Sequence, residues 1–171
     1  NVAVRSRVEA LQAQAAARNE VTVERIVREG HELGNHTWDH GALPLRTAST
    51  IRQSIRRTSD LVERIAGQRP RVFRAPFGWR SPWSDRAARR EGCETVAWTV
   101  GVYDTDRPGA DAIVKRSIDG MSNGMILLLH DGRSLDPSPD ASQVVAALPR
   151  ILEEAQRRGL RLLTVSQLLA E

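Results

Sequence analysis

The feature that most constrains the fold is an alternation of helical segments with short extended segments along the whole chain. Residues 125–129 are apolar throughout, which is typical of a strand buried on both faces. Because repeated βα units bring their strands side by side, the alternation predicts a parallel sheet or barrel. The predicted strands are residues 32–35, 71–74, 94–100, 125–129 and 161–164.

The predicted helices lie between these strands and carry the usual start and stop residues. Thr47 or Ser49 caps the longest helix and Gly67 stops it, while Ser84 caps a short helix that Gly92 ends. A chain that opens on a helix is unusual for a βα barrel. The predicted helices are residues 3–18, 23–29, 48–66, the segment between Ser84 and Gly92, 110–118, 142–158 and 166–170.

The composition is that of an ordinary globular protein of 171 residues, and we expect a single domain over residues 1–171. The longest apolar run is too short to span a membrane. One cysteine, Cys93, excludes an internal disulfide and a cysteine-based zinc cluster. The net charge of +4 comes from arginines spread over most helices among acidic residues. A nucleic-acid binder usually clusters its basic residues, so a solvated surface is the favoured interpretation.

Two histidines, His36 and His40, stand four positions apart. This spacing predicts that both imidazoles lie on one face of a helical turn, where they suit a divalent cation such as zinc. The spacing alone also fits an ordinary surface or core pair. The pair follows a predicted strand, where barrel sites are built, and this position favours metal binding. His31, just after the helix stop at Gly30, is interpreted as structural.

Three further strand ends carry polar residues. His130 follows the apolar strand, a position that favours catalysis over the alternative of a capped core histidine. Arg74 could hold a carboxylate in a bidentate pair, and the turn around Phe77 could point backbone N–H groups at a ligand. Asp104 could orient an imidazole. The alternatives are an ordinary turn and a surface carboxylate.

In this order, the strand ends resemble the motifs of the polysaccharide deacetylases, the NodB-homology enzymes of carbohydrate esterase family four. The resemblance covers roughly residues 24–170. The closing helix, strand and helix, from Leu148 onward, are also similar to the family's. The matching motifs are Glu29-Gly-His-Glu-Leu-Gly-Asn-His-Thr-Trp-Asp-His40, Phe73-Arg-Ala-Pro-Phe-Gly78, Trp98-Thr-Val-Gly-Val-Tyr-Asp104 and Leu127-Leu-Leu-His-Asp131.

Two departures from the family pattern stand out. The first motif, Thr-Phe-Asp-Asp-Gly, which supplies the family's general base and third metal ligand, is absent. In the fourth motif, Gly101 and Thr105 stand where the family often has aspartate and tryptophan. The resemblance therefore implies a distorted α/β barrel of the NodB type, (β/α)7 when complete, with the first βαβ unit absent and the domain N-terminally incomplete.

The resemblance also implies a role for each matching residue. His36 and His40 would bind the metal. His130 would be the general acid, oriented by Asp104, and Arg74 would hold the absent catalytic aspartate. Three residues would contact the substrate. The backbone N–H of Phe77 would hold the oxyanion, and Leu128 would line the acetyl pocket. Trp79 would be the third contact.

The implied function is metal-dependent hydrolysis of N-acetyl or O-acetyl groups on a glycan such as peptidoglycan, a chitin-like oligosaccharide or xylan. The implied cofactor is zinc, with cobalt, nickel or manganese as alternatives. The implied partner is the acetylated glycan, with no nucleic acid and no membrane span, and the implied location is secreted or cell-surface. The competing hypothesis is a degenerate, non-catalytic glycan-binding or scaffold domain that retains a two-histidine metal site.

Overall fold

A computed structural model of the chain describes residues 20–131 and 140–171. The described residues form two compact units, the first ending at Ala97 and the second beginning at Trp98. The predicted helix at residues 3–18 lies outside the described residues. The expectation of one domain over the whole chain stays a prediction, and the two units are described in turn.

In the first unit, helices surround a short parallel strand pair. The helices are α1 (Glu20–Arg28), α2 (Ala48–Ala66) and α3 (Pro82–Arg90). Strand β1 (Val72–Phe73) pairs in parallel with β2 (Glu94–Thr95), and Asn35 adds an isolated parallel bridge to Phe73. Single 3-10 turns cover Leu43–Leu45 and Pro76–Gly78.

Helix α2 confirms the predicted bounds and both of its end signals. Thr47 is the N-cap, where its side chain accepts a hydrogen bond from the backbone N–H of Thr50, and Gly67 ends the helix at φ 71°. Ile51 and Ile55, one turn apart, are fully buried. They pack with Leu43 and Phe73 in the main apolar cluster of this unit. This packing holds α2 in place, and α2 supports the loop of residues 36–40.

The second unit repeats the arrangement with its own parallel pair, β3 (Val100–Gly101) beside β4 (Leu127–Leu128). Its helices are α4 (Ala110–Asp119), α5 (Ser142–Arg157) and α6 (Val165–Leu169). A 3-10 turn covers Asp104–Asp106. The apolar core comprises Val102, Ile113, Val114, Met121, Met125, Leu127, Ala147, Ile151 and Ala155. No helix in the described ranges is both long and apolar enough to cross a bilayer.

Several local predictions are wrong. The strand predicted over residues 94–100 is interrupted, because its first part pairs with β1 through Val96 and the pairing with β4 begins only at Val100. The strands predicted at residues 32–35 and 161–164 are reduced to single bridge residues. The cap predicted at Ser84 is Ser81, because Pro82 occupies the first helical turn and the Ser84 hydroxyl completes a capping box.

Candidate active site

The loop that carries His36 and His40 is not helical, so the predicted helical turn is wrong. Two of its residues, Thr37 at φ 71° and His40 at φ 50°, adopt left-handed conformations that non-glycine residues seldom take. The two imidazoles nevertheless meet edge to face, with ring centroids 4.8 Å apart. The pairing that a helix would have provided is achieved here by a tight, unusual loop.

Asn35, fully buried beneath this loop, supports it from below. Its Nδ2 donates to the carbonyl of Ile55 at 2.7 Å and to the hydroxyl of Ser59 at 2.9 Å. Its Oδ1 accepts from the N–H of Thr37 at 2.9 Å, and the Thr37 hydroxyl accepts from the N–H of His40 at 3.1 Å. These bonds satisfy backbone groups that the left-handed residues would otherwise bury unpaired.

An ion pair holds the loop from its outer side. Asp39 accepts two hydrogen bonds from Arg46, at 2.8 and 2.6 Å, and these bonds hold the pKa of the Asp39 carboxyl below its usual value. Ser54 of α2 accepts from the N–H of Trp38 at 2.8 Å. A Cβ atom added at Gly41 would lie 2.0 Å from Nη2 of Arg46, so a larger residue there would require the guanidinium to shift.

The ring of His36 is oriented by a backbone carbonyl. Its Nδ1 lies 2.5 Å from the carbonyl oxygen of Arg74. A carbonyl can only accept, so Nδ1 carries the proton and a neutral ring has its lone pair on Nε2. Nδ1 of His40 is shielded from solvent, so a ligand would reach that ring through Nε2 as well. Histidines that bind metals are commonly oriented by such a carbonyl.

The two imidazoles therefore fit part of a metal site. Within residues 20–131 and 140–171, no group of three His, Cys, Asp or Glu side chains could hold a metal ion. A catalytic zinc usually takes three protein ligands. The two imidazoles could supply two of them, and all three ligands stay predictions of the family resemblance.

Arg74 is buried, and burial lowers the pKa of its guanidinium to about 10. Its Nη2 donates to the carbonyl of Ala97 at 3.2 Å. Arg74 thus contributes to the site in two ways, through a carbonyl that orients His36 and through a cationic side chain beneath the same strand end.

The turn Pro76–Gly78 exposes an aromatic ring beside the histidines. Phe77 is left-handed at φ 57°, and its ring centroid lies 4.7 Å from that of His40 and 5.0 Å from that of Trp79. The hydrogen bonds that close the turn use the N–H groups of Gly78 and Trp79, not that of Phe77. This geometry is compatible with the predicted use of the Phe77 N–H for an oxyanion.

In the second unit, one carboxylate determines the position of His130. Asp104 Oδ2 accepts from the backbone N–H of His130 at 2.7 Å, and Oδ1 lies 3.0 Å from its Nδ1. The Asp104 side chain is 2% exposed, whereas that of His130 is 40% exposed. Since a carboxylate only accepts, Nδ1 carries a proton, and Nε2 is the ring nitrogen left for contact with a substrate. Leu128, half-buried on β4, stands two residues before this histidine.

The structure thus groups the predicted residues by unit. His36, His40, Arg74, Phe77 and Trp79 lie together in the first unit, and Asp104, Leu128 and His130 in the second. Their catalytic roles stay predictions. Sequence reasoning missed the residues that support the loop. Asn35 lies directly before the first histidine and Asp39 directly before the second, so proximity to the motif was the available signal. Nothing local pointed to Arg46 or Ser54.

The fold of the two units, with motif residues following the strands of each, is that of the NodB-type deacetylase class. The sequence model of the polysaccharide deacetylases matches residues 9–96. A peptidoglycan-N-acetylglucosamine deacetylase of Bacillus cereus is 34% identical over 89% of this chain and 70% of its own length. A chitooligosaccharide deacetylase of Bradyrhizobium is 32% identical over 85% of this chain and 70% of its own. The chain belongs to the polysaccharide deacetylase family.

A solved structure of the same fold is a family 4 carbohydrate esterase pseudoenzyme from Bacillus anthracis. It matches with a TM-score of 0.82 and 24% identity over 92% of this chain. This chain spans 53% of the length of that protein. A mutant of that pseudoenzyme has restored enzymatic activity. The match confirms the predicted fold class, a barrel of the NodB type.

Proposed function

We propose that the complete protein removes N-acetyl groups, or alternatively O-acetyl groups, from a glycan. The observation that carries this proposal is the paired imidazoles of His36 and His40, presented beside an exposed aromatic turn in a chain of this family. The relatives' names support a substrate class of N-acetylated glycans such as peptidoglycan and chitin-like oligosaccharides. Xylan is the O-acetylated alternative that the family resemblance implies.

A divalent ion fits this site in part. Zinc is our first choice, with cobalt, nickel or manganese as alternatives, and His36 and His40 would hold it through their Nε2 atoms. When bound, such an ion supplies a polarised acetyl carbonyl and an activated water near neutral pH. The third ligand would be a carboxylate of the family's first motif.

The chain's own residues supply the remaining chemistry. Protonated His130 would donate a proton to the departing amine, and Asp104 would hold its ring in the orientation that presents Nε2. The N–H of Phe77 would donate to the developing oxyanion. Leu128 would line the acetyl pocket, Trp79 would stack on a sugar face, and buried Arg74 would hold the base that the first motif supplies.

The test uses the complete protein and measures two quantities, bound zinc and acetate released from an N-acetylglucosamine oligosaccharide. We expect His36→Ala and His40→Ala to lose both, because either change removes one of few ligands. His31→Ala is the matched control and should keep both. Zinc content near the wild-type value in either variant, or acetate release by the chelated wild type, would contradict the proposal.

A second candidate is a non-catalytic glycan-binding or scaffold domain. The observation that favours it is that the described residues offer two imidazoles and no group of three metal ligands. The same complete protein distinguishes the candidates. Glycan binding with no acetate release at saturating zinc would support this second function and reject the first.

A further inference from the structure

A row of aromatic rings leads away from the two histidines. The ring of His40 contacts that of Phe77 at 4.7 Å, and Phe77 contacts Trp79 at 5.0 Å. Phe77 and Trp79 are 55% and 54% exposed, although large apolar side chains usually avoid water. Exposed aromatic faces one after another form a surface on which consecutive sugar rings can stack.

Directly after Trp79 the chain enters an open depression of about 480 Å³. Its lining residues are Arg80, Ser81, Pro82, Asp85 and Arg89. All of them belong to the start and one face of α3 or to the residues just before it. The first residue that lines the depression, Arg80, therefore follows the last ring of the aromatic row, Trp79, directly in the chain.

The two arginines of this depression are in different electrostatic states. Arg80 donates to Asp85 at 2.8 Å, so the positive charge of Arg80 is balanced within the depression. Arg89 is exposed and forms no ion pair with any residue in the described ranges. Asp85 holds Arg80 in place, and Arg89 remains as the cation that an incoming anion would meet.

We propose that this depression binds the carboxylate of a sugar unit that lies beyond the one being deacetylated. The proposal rests on the proposed function, and it makes the substrate an acidic glycan rather than a neutral one. Arginine presents a planar fork that matches both oxygens of a carboxylate, so Arg89 suits this group. The aromatic row would hold the intervening sugar by stacking, while the depression selects for its charged neighbour.

The experiment measures binding by calorimetry on the complete, chelator-treated protein, so no turnover is needed. Two tetrasaccharides with the same number of N-acetyl groups are compared. One is the neutral N-acetylglucosamine tetramer, and the other carries a lactyl carboxylate on alternate sugars, as in a peptide-free peptidoglycan glycan strand. We expect the acidic tetrasaccharide to bind about three- to tenfold tighter, the range of one charge-assisted contact that is partly solvated.

Three variants locate the effect. Arg89→Gln should remove the preference and leave neutral binding unchanged. Arg90→Gln is the matched control, an exposed arginine of the same helix outside the depression, and should keep the preference. Trp79→Ala should weaken both tetrasaccharides equally, since its ring would contact the sugar and not the charge.

Four results would overturn the proposal: equal affinities in the wild type, an Arg89→Gln variant that keeps the preference, an Arg90→Gln variant that loses as much as Arg89→Gln, or unchanged binding in Trp79→Ala. Equal losses at both arginines would indicate general attraction of anions to a basic helix. Failure of the proposed function looks different. If the protein keeps the Arg89-dependent preference but releases no acetate, the proposed deacetylase function is rejected and the carboxylate site stands.

Discussion

The histidines of the two units are held in opposite ways. The loop of His36 and His40 depends on many contacts, from Asn35 below, from Asp39 with Arg46 outside, and from the Arg74 carbonyl behind. Among the residues that the structure describes, one side chain positions His130, because Asp104 accepts from both its backbone N–H and its ring. Support is distributed in the first unit and concentrated in the second.

The proposed roles of these histidines would account for the difference. Two metal ligands must keep a fixed spacing from each other, and a strained loop keeps it only if several bonds oppose its relaxation. A proton donor needs one ring in one orientation, which a single buried carboxylate can impose. Distributed support should therefore fail gradually when single residues are changed, and concentrated support should fail abruptly.

The largest effect expected in this comparison is that of His130→Ala. We expect the complete protein to keep its zinc and to lose about 10²–10⁴-fold in rate, the usual contribution of a general acid. The neighbouring exposed carboxylate offers a control, since Asp131→Asn should leave the rate nearly unchanged. Comparable rates for His130→Ala and wild type would remove this residue from the mechanism.

Asp104→Asn tests the concentrated support directly. An amide replaces one of the two carboxylate oxygens by an NH2 donor, so it cannot accept at both of the positions that serve the backbone N–H and Nδ1 of His130. We expect a rate loss of about 10- to 10³-fold, with zinc content unchanged, because the ring is displaced or takes the other tautomer. A wild-type rate in this variant would show that Asp104 does not position His130.

Asn35→Ala tests the centre of the distributed support. It removes two donors and one acceptor from a fully buried position, so the carbonyl of Ile55 and the N–H of Thr37 lose partners. We expect zinc affinity to fall about 10- to 100-fold, as when groups supporting a metal ligand are lost. Asn35→Asp keeps the acceptor but places a carboxylate oxygen against the carbonyl of Ile55, so it should lose at least as much as Asn35→Ala. Unchanged zinc affinity in Asn35→Ala would reject the distributed model.

The smallest effect expected is that of Ser54→Ala. The hydroxyl accepts from the N–H of Trp38 at 2.8 Å and donates a long bond to Asp39 Oδ1 at 3.4 Å, and the remaining contacts of the loop stay in place. Denaturant unfolding should show a loss of about 1 kcal/mol, the value of one hydrogen bond, and zinc affinity should change only a few-fold. A loss of zinc as large as that of Asn35→Ala would mean that the loop has no redundancy.

The sequence predicted what short-range rules control. Helix α2 has the predicted ends because Thr47 and Gly67 act on their own neighbours. The left-handed conformations of Thr37 and His40 could not be predicted, because they depend on Asn35 reaching Ile55 and Ser59, 20 and 24 positions further along. The break in the segment 94–100 has a similar cause, because the segment pairs with two distant strands, which local β-propensity does not register.

The family motifs indicated which side chains carry chemistry, because chemistry needs particular residue types at particular strand ends. They did not indicate Arg46 or Ser54, since many side-chain combinations can support a loop. Local sequence patterns also did not predict the aromatic row or the depression that follows it in the chain. Only the three-dimensional arrangement shows that the ring of Phe77 contacts both His40 and Trp79.

The close approach between Gly41 and Arg46 has a consequence for the evolution of this loop. A side chain at position 41 would force the guanidinium of Arg46 to shift and would strain its two bonds to Asp39. We therefore expect positions 39, 41 and 46 to change together. Homologues that carry a larger residue at 41 should have replaced the acid at 39 or the arginine at 46 in the same lineage, and a history of these three sites should record the exchanges together.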